Sequence, residues 1–330
     1  MSESTDVDEW FRNETETVRP IGASTKLFDG DFNLVTFDPT DFPDWRQGCA
    51  MPSTSVMLED IRTWMEQWRA AESTVSKLPS CATMLAARFI YFNNKAEGTG
   101  LPDEWSTRKL LENKWADIPE KQLREVMQMH DSMTYLHQIR RDRLQQGESP
   151  LESVRLRVDT VLEAHRLLMV GLIDRPGKIR DEEVYTGVPG GGKFYFDAPS
   201  LLHSSFETLI ELCNALLSDL EDAWNAPDIV TRLYNLAALL FVQLVTMHPF
   251  DDGNGRVSRL LVNHVLSAIT PFPTPRHVED GIRSQRTYVN AIMAARDLSD
   301  SKLTRIVSPK DVSALFIESS WQTWHEVAER

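Results

Sequence analysis

The chain is poor in cysteine: Cys49, Cys81 and Cys213 are the only three in 330 residues. An odd, widely spaced set builds neither a disulfide framework nor a zinc site, and it fits reduced thiols in a cytosol. Basic charge is short as well. Lys and Arg number 35 against 49 Asp and Glu, a formal net charge of −14 at pH 7. A surface this acidic does not hold a nucleic-acid backbone over a broad area, although two or three arginines suffice for a local anion site. The opening MSESTDVDEW has no basic n-region and no apolar h-region, so no signal peptide is visible. No uninterrupted apolar run reaches the ~18–20 residues of a membrane span; Leu236 to Met247 comes nearest and is too short. Internal repeats and low-complexity tracts are missing too. The expectation is a soluble, cytoplasmic protein with neither nucleic acid nor membrane as partner; a homo-oligomer is left open.

What is present is helical period. Residues 1–54, with FDGDF and FDPTDFPDW, read as an extended, partly ordered arm. From Val56 the period of a helix takes over, with Met57, Ile61, Trp64, Met65 and Trp68 on one face. A second, more apolar helix starts at Cys81 and stops near Gly98 and Gly100. LPDEWSTRKLLENK, Pro119–Gln146 and ESVRLRVDTVLEAHRLLMVGL continue the pattern. So do 200–224, 229–247, 254–268, 285–295 and 311–327. One stretch breaks it: EEVYTGV and KFYF flank PGGG and read as a β-hairpin with a glycine tip. The fold class is therefore all-α, mainly helical, with one hairpin. Residues 55–100 form a helical segment before a larger domain over 101–330.

The apolar run before residue 248 ends on HPFDDGNGRVSR. Pro249 disfavours the α conformation at His248, so the helix should stop near Met247. Gly253 and Gly255 permit positive φ and close backbone approach. A new helix then begins, and a glycine-containing loop feeding a helix N-terminus leaves backbone N–H groups free as an anion site. Arg256 and Arg259 lie on neighbouring parts of one face and can point at the same anion, so the site suits more than one phosphate. Asp252 at its mouth is placed to take a Mg²⁺ bridging phosphates. His248 is the strong general-base candidate beside it. Together these suggest transfer of a phosphorus-centred group to a hydroxyl. Each feature alone is commonly structural; their joint occurrence is what argues for chemistry.

HPFDDGNGRVSR resembles the Fic domain signature H-x-F-x-[DE]-G-N-G-R-x-x-R at every fixed position. EAHRLLMVGLIDRPGKIR and RTYVNAIMAAR are similar to flanking segments of that family, so the resemblance covers roughly residues 120–300 of a catalytic domain over 101–330. It implies a helical Fic fold and, most often, transfer of AMP from ATP to a Ser, Thr or Tyr hydroxyl of a protein. His248 would then be the base and Asp252 the Mg²⁺ ligand. Gly253, Asn254, Gly255 and Arg256 would cradle the α- and β-phosphates, and Arg259 would reach the γ-phosphate. Phe250 would pack. Tyr288 matches a position lining the adenosine pocket. The hairpin at 179–196 is similar to a target-docking flap, in which Val184, Tyr185 and Thr186 would pair with an unidentified target protein by strand addition.

NNKAEGTG resembles the family's inhibitory pattern [ST]-x-x-x-E-[GN], with Glu97-Gly98 in place and Asn93 where Ser or Thr is usual. Glu97 paired with Arg259 would stand where the γ-phosphate goes, leaving ATP misaligned and basal activity low. In relatives with this layout such a Glu also serves AMP removal, and that alternative stays open for Glu97. So does transfer of UMP, phosphate or phosphocholine, and a non-catalytic nucleotide- or peptide-binding scaffold. Other candidates fall away. His130 and His137 have no third ligand in register, and His165 reads as structural. Trp45, Trp64, Trp68, Trp105 and Trp115 read as core or interface anchors. GVPGGGK lacks phosphate-loop spacing. Ser204 and Ser205 have no adjacent base and acid.

Overall fold

A computed structural model describes residues 35–46, 51–71, 79–114, 118–187, 193–274, 282–297, 305–306 and 308–328. Most of the arm, Cys49, Trp115 and the hairpin tip at 188–192 lie outside the described residues. The helices are α1 (Thr54–Ala71), α2 (Pro79–Lys95), α3 (Glu104–Leu111), α4 (Glu120–Gln145) and α5 (Val158–Met169). They continue as α6 (Pro199–Asp222), α7 (Ile229–Met247), α8 (Asn254–Leu266), α9 (Ile282–Ala294) and α10 (Lys310–Ala328). The apolar period set most of these limits, and local chemistry trims the ends. Asp103 caps α3 by accepting from the Ser106 N–H, and Pro199 stands at the start of α6, where its missing N–H costs nothing.

Helix α7 is the axis of the fold. Its face toward α6, its face toward α8 and its face toward α10 are all covered. By length and composition it is apolar enough to cross a membrane, at 19 residues and a mean hydropathy of 1.6. This corrects the reading of that run as too short, but 83% of its window is buried inside the protein. A helix that is hydrophobic all round needs neighbours on every side, and here protein supplies them. Around it, α2 packs on α3 and α4, α4 on α5, and α1 on α10.

The β-structure is smaller than EEVYTGV and KFYF suggested, and it is not confined to one place. Strands β1 (Tyr185–Gly187) and β2 (Lys193–Tyr195) pair antiparallel, with Tyr185 opposite Tyr195. A second ladder joins β3 (Arg296–Asp297) to β4 (Arg305–Ile306), where the sequence has no alternation to announce it. Trp105 is 60% exposed, so of its two readings, core or interface anchor, the core one does not hold. Trp64 does pack, tilted against Trp321.

The described part of the arm is fastened to the body. The Asn235 side chain donates to the carbonyls of Val35 and Phe37 at 2.9 and 2.6 Å. Arg46 donates to Glu318 of α10 at 2.6 Å and to Thr54 at 2.9 Å, and Trp45 donates to the same Glu318 carboxylate at 3.0 Å. Both ends of the Arg46–Glu318 pair are buried. Removing one partner strands the other, which costs about 3 kcal/mol or more. Arg46→Met is expected to lower unfolding stability by about that amount in urea titration; a loss within the ±0.5 kcal/mol of an ordinary surface change would show that the arm does not contribute to the fold.

Candidate functional site

The site is built where α7 stops. His248 sits at φ 53°, ψ 61°, in the left-handed region, and its N–H still bonds the Leu244 carbonyl at 2.9 Å. A non-glycine residue in that region is strained, and surrounding contacts must hold it. Here they come from Arg180, whose side chain is only 2% exposed. Its guanidinium donates to the carbonyls of His248 at 2.7 Å, Glu182 at 2.6 Å and Asp197 at 2.5 Å, and its backbone N–H donates to the Pro249 carbonyl at 2.9 Å. One buried cation thus ties the turn after α7 to both roots of the β1–β2 ladder. The His248 ring stacks on Phe196 with centroids 4.0 Å apart. Burial, then the charge of Arg180, pushes the His248 pKa down to about 4, against a hydrogen bond to the Val245 carbonyl. At neutral pH His248 is an uncharged imidazole, able to accept a proton.

Beyond Pro249 the loop closes on itself. The Asn254 side chain accepts from the Phe250 N–H at 2.9 Å and donates to the Phe250 carbonyl at 2.8 Å. Asn254 therefore shapes the loop, and the Phe250 ring fills the core beneath, stacked on His165 with centroids 3.7 Å apart. His165 spans two segments: Nε2 donates to the Asp252 carbonyl at 2.9 Å while Nδ1 accepts from the Gly177 N–H at 2.9 Å. That arrangement fixes the neutral tautomer. Gly253 is at φ 78°, and a Cβ there would meet the Met169 Sδ at 2.7 Å. A Cβ on Gly255 would collide with the Glu97 carboxylate.

Helix α8 begins without a side-chain cap. Its first-turn N–H groups and positive dipole end face the loop mouth. Arg256, 3% exposed, has an Nε with no hydrogen-bond partner among the described residues; its guanidinium lies 3.7 Å from Asp252. The Asp252 side chain itself is 65% exposed. Arg259 is buried and turned to α2 and α9. Its Nε donates to Asn93 Oδ1 at 2.6 Å, its Nη1 to the Tyr288 hydroxyl at 3.3 Å, and its Nη2 to the Glu97 carboxylate. Burial opposes the Arg259 charge, but Glu97 and Tyr288 hold its pKa above the ordinary arginine value. Asn93, which stands where Ser or Thr is usual in the inhibitory pattern, accepts from the side chain of Arg259 on α8. Tyr288 is buried against Phe241 and is a partner of Arg259.

Val184, Tyr185 and Thr186 lie at and before β1. The Phe196 N–H donates to the Val184 carbonyl at 3.2 Å. By antiparallel alternation, the backbone groups of Tyr185 and Gly187 then face outward from the ladder. Tyr185 is 53% exposed. Among the described residues no group of three or more His, Cys, Asp or Glu gathers as a metal cluster. Arg180 and Phe196 were not legible as site residues. Both sit in the stretch read as a hairpin, and only the fold shows that they hold His248.

Residues 155–266 match the model of the Fic/DOC family. It is 30% identical over 183 residues to the protein adenylyltransferase fic-1 of Caenorhabditis briggsae, across 54% of this chain and 31% of that protein. It is 33% identical over 108 residues to a Fido domain-containing protein of Dictyostelium discoideum, across 32% of this chain and 66% of that one. The chain thus spans under a third of the length of the adenylyltransferase it matches. Its fold is similar to that of a Fic domain-containing signaling protein from Bacteroides thetaiotaomicron, with a TM-score of 0.63 at 21% identity over 83% of this chain and 98% of that one.

The two-sided hydrogen bonding of His165 gives a pH signature. Its pKa is pushed down to about 4 by burial, from an ordinary 6.5. The unfolded chain therefore binds more protons between those values, and stability falls as pH drops from 6.5 toward 4. His165 alone is expected to remove about 2 kcal/mol between pH 7 and pH 5. Urea titrations of His165→Gln should show a correspondingly flatter pH dependence; an unchanged slope would mean that His165 is not held neutral.

Proposed function

We propose that this chain is a protein adenylyltransferase that moves AMP from ATP to a Ser, Thr or Tyr hydroxyl of a target protein. The observation that carries it is the pairing, across one loop, of a neutral His248 with an uncapped α8 N-terminus and a buried Arg256 whose Nε lacks a partner among the described residues. Such a nest seeks an anion. The relationship to named Fic adenylyltransferases supports ATP as its source.

In this reading the target oxygen attacks the α-phosphorus, the bond to the β-phosphate oxygen breaks, and pyrophosphate leaves. His248 takes the hydroxyl proton on the ring nitrogen not engaged with Val245. Gly253, Asn254, Gly255 and Arg256 hold the α- and β-phosphates, and Asp252 is exposed at the loop mouth where it would hold Mg²⁺, which offsets charge on the leaving group. Arg259 reaches the γ-phosphate only when Glu97 lets go, so the Glu97–Arg259 pair keeps the enzyme inhibited. Removal of AMP by the same Glu97 is the second reading, and the exposed side of its carboxylate supports it. A cytoplasmic setting goes with the reduced cysteines.

Incubation with Mg²⁺ and α-phosphate-labelled ATP tests this directly. We expect strong self-labelling of Glu97→Gly, at least about ten-fold less in the wild type, and none in Glu97→Gly/His248→Ala. Equal labelling of the first two would remove the lock; ATP binding by Glu97→Gly without label on itself or on extract proteins would favour the scaffold.

The outward N–H of Gly187 gives a separate test of docking. Gly187→Pro, made in the Glu97→Gly background, removes an edge donor without touching the β1–β2 bonds. Labelling of extract proteins should fall about ten-fold while ATP affinity is unchanged. Full labelling would exclude strand addition at β1.

A further inference from the structure

A second cavity lies away from the α7–α8 loop. It sits between α2, the middle of α4 and the C-terminal end of α8, and its volume is about 260 Å³. Leu85, Leu136 and Phe272 give it an apolar wall, and His137, Arg140 and His264 line it as well. His264 is ten residues beyond Asn254, about 15 Å along the helix axis. The cavity is therefore distinct from the phosphate nest.

Two observations point to an occupant. His264 is 3% exposed, and its Nε2 has no hydrogen-bond partner among the described residues. Buried polar atoms are rarely left so without a ligand or water to meet them. The surroundings are also positive. Burial, then Arg143, Arg140 and His137, pushes the His264 pKa down to about 3. Among the described residues no carboxylate lines the cavity. A neutral imidazole N–H beside an arginine suits an anionic oxygen, and the apolar wall suits a hydrocarbon attached to it. Size narrows the class further. A dry cavity of about 150 Å³ takes benzene, so this one has room for a ring or short chain plus a carboxylate, and none for a nucleotide.

We propose that this cavity binds a small monocarboxylate with an apolar body. The carboxylate lies against His264 Nε2 and Arg140, and the body lies against Leu85, Leu136 and Phe272. The occupant touches α2, which leads to Glu97, and α8, which carries Arg259, so it bridges the two helices joined by that ion pair.

Calorimetric titration of the full chain with 3-phenylpropionate, and with 3-phenylpropan-1-ol as its neutral counterpart, tests the site. We expect one saturable site for the acid and about ten-fold weaker binding of the alcohol. His264→Phe should weaken the acid about ten-fold with an unchanged circular-dichroism spectrum. Ala86→Trp, which fills the cavity, should abolish binding; Thr134→Trp fills it from α4 and serves if the first variant does not fold. Absence of saturable binding of the acid at millimolar concentration would overturn the proposal and leave water as the partner of His264. Equal binding of acid and alcohol, or undiminished binding in the filled variants, would overturn it as well.

Discussion

An arginine guanidinium buried in protein must find acceptors, and Arg259 is buried. That one requirement draws three separate parts of the chain together. Asn93 comes from the last turn of α2, Glu97 from the residues just past it, and Tyr288 from α9. Remove the carboxylate and the charge remains, still in a place with little water. Under the proposed reading a phosphate then takes the vacated position, because the same buried cation accepts either anion. In that reading, competition between Glu97 and nucleotide would follow from burying the arginine rather than from an added device.

The position of Glu97 in turn is not left to a loose loop. The Asn94 side chain donates to the Glu125 carbonyl of α4 at 3.2 Å, and the Glu125 carboxylate accepts from the Gly100 N–H at 2.7 Å. Gly100 is at φ 84°, and a Cβ there would meet Asn94 at 2.7 Å. The segment leaving α2 is therefore clamped on both sides of Glu97, by the same helix α4 that packs on α5. Since α5 carries His165, which holds the Asp252 carbonyl, one run of packed helices positions both the α7–α8 loop and Glu97.

The sequence was informative where a physical rule acts locally. Helical period located most of α1 through α10 to within a few residues, because one buried face imposes it on every turn; α5 begins at Val158, six residues after the predicted start at Glu152, because a short turn at Glu152–Val154 and extended backbone at Arg157 intervene. Pro249 set the end of α7 at Met247, and the two glycines marked the turn that follows. Legibility ended where a residue's partner is distant. Arg180 looks like any charged residue in RPGKIR, yet its acceptors come from residues 182, 197 and 248. Spacing put Arg259 on a face of α8, but tertiary packing decides that this face meets Asn93, Glu97 and Tyr288. The β3–β4 ladder was not legible at all, since two paired residues carry no alternation to detect.

The left-handed turn at His248 shows how such distant partners create the site. Left alone, a histidine followed by proline would take an extended conformation. Extended backbone would carry the chain away from α8 instead of back over it. Arg180 accepts no such path: its bonds to the His248 carbonyl and, through its own N–H, to the Pro249 carbonyl hold both ends of the turn. The imidazole is then stacked on Phe196 and kept neutral by burial and by that same cation. A buried charge with carbonyl partners therefore sets the direction of His248, while burial first and that charge second set its protonation state.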